Sequence, residues 1–127
     1  MLVDSHCHLD FEDFDADRAD VLARAVDAGV GMFLTIGTRL SRFARVRELA
    51  DDPRAYCSVG THPHLAAEEG VPDPERLVEL AADPKVVGVG ETGLDYFYDN
   101  SPRPQQQANF RAHIAAARET GLPLIVH

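Results

Sequence analysis

The chain has 127 residues, 45% of them hydrophobic and 26% charged, which suits one globular domain with a real core, and nothing in it reads as disordered. Twenty-one acidic residues against 12 basic ones give a net charge of -9, and Lys85 is the one lysine, so no basic surface marks a nucleic-acid binder. That charge argues against a polyanionic substrate unless bound divalent cations, which formal charge omits, meet the phosphate instead.

Met1-Leu2-Val3 runs directly into Asp4-Ser5-His6 with no basic and apolar leader, so no signal peptide is expected. No apolar run approaches the roughly 20 residues of a membrane span. The two cysteines, Cys7 and Cys57, are too few for a disulfide framework, and a reducing cytoplasm is the expected setting. Nothing calls for an obligate protein partner.

Short β-branched runs alternate with helical stretches, the rhythm of βα units around a parallel sheet. Leu2-Val3-Asp4 opens a first strand, and a helix over about 16–28 presents Val21, Leu22, Ala25 and Val26 on one face before Gly29 stops it. The second strand is 32–36. A helix over about 41–50 follows, with Leu40, Phe43, Val46 and Leu49 inward and Ser41 as its cap.

The third strand is 55–60. Asp73-Pro74 then supplies an N-cap and a first-turn proline for a helix burying Leu77, Leu80 and Ala81. Residues 85–90 form the fourth strand. The last helix starts near Pro102 or Pro104, carries Phe110, Ile114 and Ala117 on its inner line, and ends at Gly121 and Pro123 before a fifth strand at 124–126.

On this scheme His6 and His8 follow strand one, His62 and His64 strand three, Glu91 strand four and His127 strand five. Five of the six histidines thus gather at C-terminal strand ends, where (β/α) barrels build active sites. In His6-Cys7-His8 the two imidazoles, two residues apart in extended chain, can reach one ion. Cys7 between them points the other way, as a buried thiol rather than a third ligand.

Glu91 directly follows Val86-Val87-Gly88-Val89-Gly90, and a carboxylate there can bridge two ions; the alternative is a surface glutamate in a glycine turn. Asp95 reads equally as a partner of a metal ligand or as a turn cap. His62 and His64 flank Pro63 and are candidates to contact a substrate phosphate or orient water, against a proline loop with local bonds only. His113, beside Phe110 and Ile114, reads as packing or solvated. Tyr96-Phe97-Tyr98 can stack an unpaired base or close a barrel mouth.

Four segments together, Val3 to Asp10, Val59 to His64, Gly88 to Tyr96 and Leu122 to His127, resemble the TatD family of metal-dependent deoxyribonucleases in the amidohydrolase superfamily. The resemblance spans the whole chain. It implies an α/β fold of the (β/α)8 TIM-barrel type, with residues 1–127 as the N-terminal part of one barrel domain, about five strands and four helices. It further implies two divalent ions, magnesium with manganese or zinc as alternatives: His6 and His8 on one, His127 on the other, Glu91 bridging. The implied activity is phosphodiester hydrolysis on DNA, expected to be single-stranded, by an exonuclease, with Glu91, His62 and His64 in the catalytic machinery.

A glutamate after strand four, where many superfamily relatives place a modified lysine, favours this branch. The family's further histidine and aspartate on later strands lie beyond residue 127, so the chain by itself is expected to be inactive. A binuclear site also supports hydrolysis of small esters, lactones or amides. A metal-binding module without activity is the non-enzymatic alternative.

Overall fold

The structure, a computed structural model, describes residues 1–127. Its five strands are β1 (Leu2–Cys7), β2 (Val30–Thr35), β3 (Ala55–Val59), β4 (Val86–Thr92) and β5 (Leu124–Val126). They form one parallel sheet in the order β1-β2-β3-β4-β5, each joined to the next through helix. A parallel sheet that adds strands in sequence order is the winding of a (β/α) barrel, here a half-barrel.

The helices are α1 (Arg18–Asp27), α2 (Phe43–Leu49), α3 (Ala66–Glu69), α4 (Pro74–Ala81) and α5 (Arg103–Thr120). Four were expected; the one-turn α3, with a 3-10 turn at Pro63–Leu65 before it, had no periodic signal to announce it. Ser41 does not cap α2, because a 3-10 turn at Leu40–Arg42 already carries it into the helix. Its amide and hydroxyl both donate to Glu69 instead, at 3.0 and 2.6 Å. Asp73 does cap α4, accepting from the Glu75 amide at 3.0 Å, with Pro74 in the first turn.

The core lies between β3 and β4 and the helices α2, α4 and α5. Val46, Cys57, Val59, Leu77, Val86, Val89 and Ala116 are buried together there. Leu77 is fully buried, which stabilises the fold by roughly 2–3 kcal/mol. Leu80 reaches only its margin. The expected face of α1 is right but half-buried, and Leu2 and Val3 on β1 are more than half exposed. No helix is long and apolar enough to cross a membrane.

Strands β1 and β4 run past the expected ends, so His6 and Glu91 lie within them rather than after them. In both places the pairing register slips: between Asp4 and Cys7 where β1 meets β2, and between Val89 and Thr92 where β4 meets β5. Such irregularities bend a strand and re-aim a side chain, and here each one contains a site residue.

Candidate metal centre

The backbone at the strand tips is tied across the sheet. The Gly37 amide donates to Ser58 Oγ at 3.0 Å, and that hydroxyl donates to the Gly90 carbonyl at 2.7 Å. The amides of Glu91, His62 and His127 donate to the carbonyls of Gly37, Thr38 and Thr92 at 2.8, 3.0 and 2.7 Å. Gly60 and Gly90 touch backbone to backbone: a Cβ on Gly60 would lie 2.5 Å from the Gly90 Cα. This close approach brings the tips of β3 and β4, and with them His62 and Glu91, to one place.

Around Glu91 two donor sets form. His6 Nε2 lies 3.2 Å and His8 Nε2 3.7 Å from Glu91 Oε2. On the other side, His127 Nδ1 lies 3.0 Å and His62 Nε2 3.9 Å from Glu91 Oε1, with His62 Nε2 3.2 Å from His127 Nδ1. In each set the donor atoms lie within 4.8 Å of one another. The two oxygens of one carboxylate therefore face separate pairs of histidines.

Asp95 makes both a turn cap and contacts to two histidines of the site. Its Oδ1 accepts the Phe97 and Tyr98 amides at 3.2 and 3.0 Å, a turn cap. Its Oδ2 faces His64 Nε2 at 2.5 Å and His127 Nε2 at 3.0 Å, and so orients the ring whose other nitrogen meets Glu91. Cys7 points away from the histidines and donates to the Leu34 carbonyl at 3.3 Å; burial pushes its thiol up to about 12. Of the aromatic run, Tyr96 lies under Arg103, while Phe97 is 87% exposed.

Burial pushes the Glu91 carboxyl up, but the His127 hydrogen bond and the charges of His62, His6 and His8 outweigh it, leaving its pKa below the ordinary value. His62 is pushed down to about 4, by burial above all, so it is a neutral imidazole at pH 7. Burial also opposes charge on His127, yet Asp95 and Glu91 on its two sides raise its pKa. Asp95 is held far below the usual carboxylate range by the Tyr98 amide, then by His64 and His127.

The donors fit divalent cations. Imidazoles and a carboxylate converge without a lysine or arginine among them, which is the donor chemistry of manganese, zinc and related ions. His8 Nδ1 is buried without a partner, while its Nε2 faces Glu91.

The last helix supplies what sequence reasoning missed. Phe110, Ile114 and Ala117 are only half-buried, and the fully buried line of α5 is Gln106, Asn109, His113 and Ala116. Gln106 Oε1 accepts the Asp95 amide at 2.7 Å, and its Nε2 donates to the Asp95 carbonyl at 3.2 Å. Asn109 Nδ2 donates to the Thr61 carbonyl at 2.9 Å. His113 Nε2 accepts the Thr61 amide at 2.9 Å while Nδ1 donates to the Asn109 carbonyl at 2.7 Å, which fixes its tautomer. His113 is thus neither solvated nor plain packing. The signal was present as polar residues at spacings of three and four, one position round from the apolar line.

The family model described as TatD related DNase matches residues 3–127. The chain is 38% identical over its full length to the uncharacterized metal-dependent hydrolase YabD of Bacillus subtilis, and covers 50% of that protein. It is 35% identical over 99% of its length to the 3'-5' ssDNA/RNA exonuclease TatD of Shigella flexneri, covering 49% of it. The crystal structure of YjjV, a TatD homolog from Escherichia coli K12, superposes with a TM-score of 0.85 at 34% identity, over 99% of this chain and 50% of that one. The chain spans about half the length of the curated relatives it matches. With the half-barrel winding and the match running from Val3 to His127, the chain belongs to the family of TatD-related DNases.

Proposed function

We propose that the whole protein is a divalent-metal-dependent phosphodiesterase, a deoxyribonuclease that removes nucleotides from the 3' end of single-stranded DNA. One observation carries the reading. The two oxygens of Glu91 face different histidine sets, which suits a bridging ligand between two ions, His6 and His8 on one and His127 on the other. The substrate class follows the name of the Shigella relative, a 3'-5' ssDNA/RNA exonuclease. When bound, such ions polarise a phosphoryl oxygen, acidify a water and offset the chain's negative charge.

The protein's own residues have defined work in this scheme. Glu91 faces both sets, one with each oxygen, and Asp95 keeps His127 turned toward Glu91. His62, neutral at pH 7, and His64 stand at the mouth of the site, where they contact the phosphate or position water. Magnesium is the expected ion, and the histidine-rich donors also suit manganese or zinc. Two free cysteines accord with a cytoplasmic setting.

The test is cleavage of end-labelled single-stranded DNA by the full-length protein, with and without EDTA, beside Glu91→Gln. The expected result is EDTA-sensitive cleavage that the substitution lowers at least about 10²-fold. Cleavage within a few fold of wild type for Glu91→Gln would remove Glu91 from the centre. Turnover of small esters but not DNA would replace the substrate class.

A further inference from the structure

Beside the donor sets lies a cleft of about 410 Å³ that opens from His8 and His62. That volume is within the range of small-ligand pockets, so it can take more than the reacting phosphate. Three features of its lining call for a particular ligand.

Phe11 forms one wall. Its ring is stacked on His8, centroids 4.7 Å apart and 19° from parallel, and it remains 40% exposed. A ring held in this way is a platform for another flat ring. Asp10 is the second feature. It is 4% exposed, and its Oδ1 has no donor anywhere in the protein although the residue lines the cleft. A buried carboxylate oxygen left unpaired is costly, so the site is completed by a ligand that brings an O–H or N–H. The third is Arg39 and Arg42, also in the lining. Arg39 pairs with the exposed Glu68 at 2.6 Å and also lies 3.9 Å from the largely buried Glu69, and Arg42 pairs with the exposed Glu12 at 3.5 Å; the exposed pairs yield readily to a stronger anion.

We infer that this cleft is the subsite for the terminal nucleotide of the strand: the base stacks on Phe11, and the Asp10 carboxylate accepts the hydrogen of the 3'-hydroxyl. This rests on the nuclease reading above and adds to it the group that recognises a strand end. A strand continuing past this nucleotide carries a phosphate where the hydroxyl would be, and a phosphate oxygen next to the Asp10 carboxylate is repelled. The cleft thereby selects ends over internal positions.

The competing role for Asp10 is to hold His8 through a water bridging to the unpartnered His8 Nδ1. The two roles separate by experiment. The full-length protein is assayed on two single-stranded oligonucleotides, one ending in a 3'-hydroxyl and one in a 3'-deoxy nucleotide. Binding of deoxynucleoside and 2',3'-dideoxynucleoside 5'-monophosphates is measured in parallel by calorimetry. Wild type should cleave the hydroxyl substrate about tenfold faster or more and bind its nucleotide correspondingly tighter. Asp10→Ala, with Asp10→Asn as the size-conserving variant, should erase the difference while leaving metal stoichiometry unchanged. Phe11→Ala should weaken nucleotide binding by about tenfold, and Phe11→Tyr should restore it.

Equal treatment of both termini by wild type overturns the inference, as does an Asp10 variant that loses metal and slows both substrates alike. If wild type cleaves neither oligonucleotide yet binds the hydroxyl nucleotide more tightly than the dideoxy one, the subsite stands and the nuclease reading falls. If it does neither, both fall.

Discussion

His113 and Thr61, 52 residues apart, are joined by a single buried hydrogen bond in which the Thr61 amide donates to the imidazole Nε2 at 2.9 Å. Thr61 immediately precedes His62, so a ring on the outer helix α5 sets where a histidine of the centre begins. The bond requires a neutral ring. Burial supplies that, pushing His113 down to about 4.

The bond makes part of the stability acid-sensitive. Between the ordinary histidine value near 6.5 and about 4, the unfolded chain takes up a proton at this position that the folded protein refuses. The contribution is complete above the upper value and fades as pH falls, by about 3 kcal/mol in all. His113→Leu, which orphans the Thr61 amide, should cost about 1–3 kcal/mol at pH 7.5, with His113→Gln recovering part of it. Urea unfolding at pH 7.5 and pH 5 checks this: the gap between wild type and His113→Leu should narrow at the lower pH, and a constant gap would contradict it.

Gly60→Ala is expected to destabilise by about 3 kcal/mol, at the upper end of overpacking, because the new methyl meets the Gly90 backbone rather than a movable side chain. The variant should also lose activity beyond its loss of stability, since β3 and β4 must part at the centre. Thermal unfolding and turnover at a temperature where both proteins are folded separate the two effects. A variant as active and as stable as wild type would show that the tips tolerate separation.

Alanine at His62 or His64 should lower turnover or substrate affinity by about 10²-fold while the number of bound ions stays at the wild-type value. The geometry makes the His62 arm the sharper test, because its Nε2 lies 3.2 Å from His127 Nδ1 and 3.9 Å from Glu91 Oε1. Metal analysis after dialysis decides. An ion lost with His62 would make that residue a ligand.

The 127-residue chain alone should show little magnesium-dependent cleavage of single-stranded DNA. Strand β5 has one neighbour, as has β1, and an unpaired edge invites association. The second donor set is small, and magnesium binds weakly through few protein ligands. Light scattering and a nuclease assay on the purified chain check both points. EDTA-sensitive cleavage by a monodisperse sample, lost on Glu91→Gln, would show that five strands suffice.

Much of this was legible in the sequence, and for physical reasons. Strand and helix periods place His6, His8, Glu91 and His127 at one end of a parallel sheet, and Asp73-Pro74 announces the start of α4. What was not legible depends on contacts between distant segments. Ser41 has the chemistry of a cap, yet Glu69, 28 residues on, takes both its donors. Phe110 and Ile114 are apolar at helical spacing, but α5 lies over the loops after β3 and β4, where backbone groups need partners, and Gln106, Asn109 and His113 supply them. Hydrophobic periodicity reads only the part of a helix that faces a greasy neighbour.

The Ser58 hydroxyl, which receives from Gly37 and donates to Gly90, has a consequence for motion. With it in place the tips of β2, β3 and β4 open together or not at all, and the amides of Gly37 and Glu91 are shut in by the same event. Their hydrogen exchange should follow the opening of the sheet, whereas the exposed stretch from Tyr96 to Asn100 exchanges by local fluctuation. The donors around Glu91 are therefore carried on stiff backbone with a softer loop beside them. The two meet at Asp95, whose one oxygen accepts the Phe97 and Tyr98 amides while the other faces His127, so motion of the loop is passed to the ring beside Glu91.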